Sequence, residues 1–335
     1  MKRVCSIIVV LALMCALAGC VSDRQTVDPT YFTSGYAKLH PVHEAYDSGF
    51  TFAGLPDSQK FLYQDICFSS VGIPNPQLAD ISAVSAACYD VDRAEVIYSK
   101  NIFEKVYPAS TTKLLTAYVA ARYTEPSDIV TIQKDNCGIE ISGAQKTGFK
   151  AGDTITMEDL MYCLLMFSAN DAAVAIAEHV SGSVDAFCKL MNSEAEAIGA
   201  TGTHFTNPHG LQDVNHYTTA YDIYLIFNEC LKNPYLKGIM TGSSHVSKIY
   251  GADGSVREYE VVPTNYYAKG LTSAPDGITV MCGKTGETIA AKNCLIIYSE
   301  TADGHGYITE LFKSTDRDTV YREMNLLLAI CLNHK

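Results

Sequence analysis

The sequence predicts an α/β chain of the α+β kind, with strands and helices segregated along it. Three observations point there. β-favouring runs lie at 81–98 and again between 278 and 312, apolar helical runs fill much of the interval between, and a long amphipathic segment closes the chain. With 335 residues, 47% hydrophobic and 19% charged, the chain can bury a sizeable core as one large domain or two lobes. A net charge of −12 without a basic cluster argues against nucleic acid as a partner.

The N-terminus reads as a targeting segment: Lys2 and Arg3, an apolar run from Val4 to Leu17, then Leu17-Ala18-Gly19-Cys20. The run is too short for a comfortable membrane span. Small residues before a cysteine resemble the bacterial lipoprotein cleavage box. That implies a signal peptide over 1–19, lipid on Cys20 and an extracytoplasmic protein anchored to the bacterial cell membrane. An ordinary secretory signal cut elsewhere is the other reading. Residues 20–75, with scattered Tyr, Ser, Asp, Gly and Pro, read as a tether whose aromatic residues can dock on the domain at 76–335.

Ile81 to Tyr89 and Glu95 to Tyr98 form a hairpin about a turn at Asp90-Val91-Asp92-Arg93. Pro108 then leads into a helix beginning at or just before Ser110, with the apolar run Leu114 to Ala120 behind it. Residues 123–157 read as loops, ending at Thr156 before a very apolar helix from Met157 to about Phe167. A second helix, Ala172 to His179, is opened by Asp171, so Asn170 falls in a short interruption. Amphipathic helices follow at Val184 to Ile198 and from Ala220 to Leu231. Short extended pieces occupy 242–272, then strands run at Ile278 to Gly286, Asn293 to Ser299 and Gly306 to Phe312. The last helix, Asp318 to Leu332, is expected to turn Leu326, Leu327 and Ile330 inward.

Of 12 cysteines, Cys5 and Cys15 lie in the signal segment and Cys20 is the lipidation candidate, leaving an odd nine that cannot all pair. Several sit in apolar helical runs as small hydrophobes, and no Cys-x-x-Cys pair supports a metal site. Cys282 and Cys294 flank a strand turn where a hairpin could bring them face to face, with free thiols the favoured alternative.

Ser110 and Lys113, three apart, share a helix face. A serine hydroxyl needs a base to become nucleophilic, and a lysine amine serves if burial or nearby positive charge lowers its pKa. Alone, Ser-x-x-Lys is more readily a helix cap followed by a solvated lysine, and Ser168 or Asn170 would serve as a cap too. What changes the balance is order: Ser110-Thr111-Thr112-Lys113, Ser168-Ala169-Asn170 and Lys284-Thr285-Gly286 succeed one another at separations that suit one domain. His209 and His216 also invite a Ser–His reading, but Lys113 already supplies a base.

From about Ala83 onward these motifs, with Phe205-x-Asn207-Pro208-His209-Gly210-Leu211 and Thr219-Ala220-x-Asp222, resemble the D-alanyl-D-alanine carboxypeptidases, the low-molecular-mass penicillin-binding proteins of serine peptidase family S11. The resemblance implies a β-lactamase/transpeptidase-like fold: a five-stranded antiparallel sheet flanked by helices, plus an all-helical lobe at about 115–225, with the active cleft between. It implies Ser110 as nucleophile on the D-Ala–D-Ala bond of peptidoglycan stem peptides, Lys113 as general base and Ser168 as proton relay. Asn170 would bind the substrate backbone, Lys284, Thr285 and Gly286 the terminal carboxylate side, and the amides of Ser110 and Glu287 the oxyanion. β-Lactams would acylate Ser110, and no cofactor or metal is implied.

Two departures stand out. The run after Gly286 is Glu287-Thr288-Ile289-Ala290-Ala291-Lys292, so a carboxylate lies near the expected carboxylate site and Lys292 stands where the family has glycine. Arg317 is the candidate for the arginine that helps hold the substrate carboxylate. A β-lactamase would need a glutamate to activate water, and Glu194, Glu196 and Glu229 form no recognisable pattern for it. A cell-wall-peptide-binding lipoprotein with weakened catalysis is the remaining alternative.

Overall fold

The computed structural model describes residues 66–334; the signal segment, Cys20 and most of the expected tether lie outside them. Within the rest of that tether, Cys67 is fully buried, its amide donating to Tyr224 Oη at 2.9 Å, and Ile73 bridges to Ser99.

A five-stranded antiparallel sheet carries β1 (Ser85–Asp90), β2 (Glu95–Lys100), β7 (Ile278–Thr288), β8 (Lys292–Thr301) and β9 (Gly306–Ser314), in the order β2-β1-β9-β8-β7. Side chains alternate across a pleated strand, and here both faces are apolar. Ala87, Tyr89, Ile296, Ile308 and Phe312 join one core, while Ala86, Cys88, Leu295, Ile297 and Leu311 join the other. The second core is closed by the last helix, α7 (Arg317–Asn333), through Val320, Met324, Leu327, Leu328 and Cys331. Burying each such leucine or methionine is worth about 2 kcal/mol. Leu327 and Ile330 point inward as expected, but Leu326 is 44% exposed, since it falls off the stripe set by 320, 324 and 328.

The first core is shared with α1 (Thr112–Tyr123), α2 (Met157–Leu165), α3 (Asn170–Ser181), α4 (Val184–Ile198), α5 (Ala220–Lys232) and α6 (Pro234–Thr241). Side-chain caps begin several of them: Thr156 accepts from Asp159 N, Ser183 from Ala186 N and Thr219 from Asp222 N. The helical lobe is not all-helical. Short strands β3 (Ile129–Thr131) and β4 (Thr154–Thr156) pair and continue into the hairpin β5 (His245–Tyr250) and β6 (Val256–Val261), forming a second antiparallel sheet, β3-β4-β5-β6. Three-residue strands bury one side chain each, too few for a pattern to register in sequence. Cys282 and Cys294 do not face each other: Cys282 pairs in register with Tyr298 and Cys294 with Gly286, and all nine cysteines among the described residues are free and buried.

Candidate active site

Ser110 comes directly off the first hairpin. Pro108 and the turn Ala109–Thr111 precede α1, with Thr111 Oγ1 donating to Pro108 O at 2.7 Å. Ala109 takes a left-handed φ of 47°, a strained conformation for a residue with a Cβ. Gly210 pins this turn from outside. At φ 86° it lies so close that an added Cβ would sit 1.8 Å from Ala109 O.

Lys113, the second residue of α1 and three residues beyond Ser110, is fully buried, and its Nζ meets three oxygens: Ser110 Oγ at 3.0 Å, Asn170 Oδ1 at 2.9 Å and His209 O at 2.6 Å. Asn170 is the first residue of α3, not part of an interruption, and neither it nor Ser168 caps that helix, whose N-cap position is Ala169. Asn170 is fixed instead through Gln145 O, which accepts from its amide N at 2.8 Å and from Nδ2 at 3.0 Å. Ser168 adopts φ 67° and accepts from Lys284 Nζ at 2.8 Å. Lys284, on β7, is as buried as Lys113. Thr285 Oγ1 lies 2.7 Å from Thr264 Oγ1. A Cβ at Gly286 would stand 2.9 Å from Pro108 O and 3.2 Å from Ser110 N, so only glycine lets β7 approach the Ser110 turn this closely.

Ser110, Ser168, Asn170, Thr285 and Gly286 line one cleft of about 1050 Å³ between the lobes, with Glu287, Lys292 and Arg317 on its walls. Glu287 and Arg317 are ion-paired with each other. Burial, then the charge of Lys284, drives the Lys113 amine well below the usual lysine range, against an opposing pull from Asp171. Burial also lowers Lys284, to about 7.

The histidines are structural. His209 Nδ1 accepts from Leu211 N, and burial lowers its ring to about 3; what it brings to the site is its backbone carbonyl. His216 accepts from Thr206 N, leaving its Nε2 to donate to Thr112 Oγ1 at 2.8 Å. Glu194 is engaged by Tyr123 and Arg122, and Glu229 by Lys232, and Glu194, Glu196 and Glu229 are all absent from the cleft lining. Lys292 holds φ 52°, the left-handed geometry a glycine would supply at that hairpin. Thr264 and Gln145 gave no sequence signal, for each acts through one hydroxyl or one carbonyl that only the folded chain brings near.

Two lobes with the Ser110–Lys113 and Ser168–Lys284 pairs meeting in their seam define the β-lactamase/DD-transpeptidase class of folds. Within it, the chain belongs to the peptidase S11 family of D-alanyl-D-alanine carboxypeptidases, whose family model matches residues 72–309. It is 31% identical over 215 residues to the D-alanyl-D-alanine carboxypeptidase DacF of Bacillus subtilis, covering 64% of this chain and 53% of that protein. It spans about half the length, or less, of such curated relatives. The crystal structure of a Streptomyces DD-transpeptidase superposes with a TM-score of 0.70 at 24% identity, covering 78% of this chain and 100% of that one. A Mycobacterium tuberculosis D-alanyl-D-alanine carboxypeptidase gives 0.68 at 25% identity, covering 79% and 96%.

Proposed function

We propose that this protein is a serine-type D-alanyl-D-alanine carboxypeptidase that removes the terminal D-alanine from peptidoglycan stem peptides. The observation that carries this reading is the buried Lys113 amine 3.0 Å from Ser110 Oγ. A neutral amine has two N–H bonds and one lone pair. Asn170 Oδ1 and His209 O accept the two N–H groups, so the lone pair is left for the Ser110 hydroxyl proton. Ser110 Oγ then attacks the carbonyl carbon of the D-Ala–D-Ala bond while its proton passes to Lys113. The oxyanion forms beside the amides of Ser110 and Glu287, each donor worth about 3 kcal/mol. Ser168, held by Lys284, relays the proton taken up by Lys113 to the departing D-alanine amine, which returns Lys113 to its neutral form. Water hydrolyses the resulting ester and regenerates Ser110.

β7 is an edge strand of its sheet, so a peptide laid along Lys284–Glu287 pairs with it as an added strand. Lys284 and Thr285 face the terminal carboxylate, and β-lactams acylate Ser110 as substrate mimics. Lipid on Cys20 would anchor the protein extracytoplasmically, beside its polymeric substrate; the cleavage-box pattern alone supports that part. The binding-only alternative rested on Lys292 and Glu287, and the left-handed backbone at Lys292 removes the first of these.

Fluorescent penicillin is expected to label the wild type covalently and to leave Ser110→Ala unlabelled. Incubation with a pentapeptide is expected to release one alanine by mass spectrometry. Labelling that persists in Ser110→Ala would refute the assignment.

A further inference from the structure

We infer that Glu287 is a specificity-determining residue that sets how tightly the cleft holds a substrate carboxylate, by occupying Arg317 in its place. The inference rests on the reading above. Along β7 the two-residue period puts Thr285 and Glu287 on one face, with Cα atoms about 7 Å apart. Arg317, the first residue of α7, lines the same cleft, with its guanidinium 6.0 Å from the Tyr266 ring centroid. There it meets not an empty site but the Glu287 carboxylate, in an ion pair whose side chains are each about half exposed. An arriving peptide carboxylate beside Thr285 therefore finds its arginine already neutralised and a like charge next to it. Because the pair faces water, it can exchange partners, so Glu287 competes rather than blocks. The remaining lining cations, Lys269 and Lys292, make no ion pair among the described residues that would relieve Arg317 of this contact.

Opposing charges on one ligand give a distinctive pattern of affinities. Removing Glu287 frees Arg317 for the substrate, removing Arg317 leaves a lone repelling carboxylate, and removing both restores a neutral ledge. The test measures equilibrium binding of an N-acetylated pentapeptide ending in D-Ala–D-Ala by calorimetry, in the full chain carrying Ser110→Ala so that no turnover occurs. Against that parent, Glu287→Gln is expected to bind about tenfold tighter, Arg317→Ala at least threefold weaker, and the double variant within threefold of the parent. The same peptide with a C-terminal amide is expected to bind all four alike. Unchanged or weakened carboxylate binding in Glu287→Gln, or no binding in any variant, overturns the inference. Failure of the wild type to be labelled by penicillin refutes the carboxypeptidase reading instead, so the two failures are distinguishable.

Discussion

Two lysines share one buried site, and the environment gives them different work. Lys113 is driven low by burial and by the charge beside it, which suits a base. Lys284, lowered to about 7 by burial, loses its charge progressively as pH rises through neutrality. Its proton favours an anionic substrate, so kcat/KM for a carboxylate-ended peptide is expected to fall as pH rises through about 7. In Lys284→Arg, whose guanidinium stays charged, that fall is expected to vanish from the pH–rate profile, whatever the absolute rate. Both lysines were legible in the sequence because their motifs name residue types at fixed spacing. The acceptors that orient the Lys113 amine were read less well: Asn170 stood in a motif but was expected to hold the substrate backbone, and His209 O gave no signal, since a carbonyl oxygen looks alike in every residue until the loop carrying it is placed.

Among the elements, those with long periodic patterns matched expectation: Val184 to Ile198 became α4 and the last three strands fell where β-favouring runs stood. Helix α6 and strands β3 and β4 escaped because eight-residue and three-residue elements draw their stability from neighbours rather than from their own pattern, whereas β5 and β6 lie within the extended pieces expected over 242–272. The loop bearing His209 and Gly210 shows how an irregular element can govern a regular one. Its close approach holds the Ala109 turn in its left-handed form, and that turn aims Ser110. Gly210→Ala must displace one or the other and is expected to lower the penicillin acylation rate by more than about 100-fold. Gly182→Ala, equally left-handed but with open space around it, costs only about 1 kcal/mol of backbone strain and is expected to leave acylation unchanged.

At the scale of the whole molecule, acids buried behind the sheet set the response to pH. Asp222 is raised to about 7 by burial, with one carboxyl oxygen unpartnered, and burial raises Glu310 well above the carboxylate range. The unfolded chain releases the Asp222 proton near its ordinary value of 3.8, whereas the folded chain keeps it until about 7. Between those values the folded state binds more protons, so stability is fullest at the acid end and falls by up to about 1.4 kcal/mol per pH unit from this group. Asp222→Asn is expected to flatten that decline, read as the change in urea midpoint between about pH 5 and about pH 7.

The sheet order β2-β1-β9-β8-β7 seats the earliest strands against the latest, with the helical lobe looped out between them. As a polypeptide is synthesised, the helices can collapse on local contacts, but β1 has no inner neighbour until β9 has been made. The ledge at Lys284 is likewise missing when Ser110 and Lys113 are already in place. A nascent chain thus carries Ser110 and Lys113 long before the strand that completes their cleft, and the site is assembled only with the final strands.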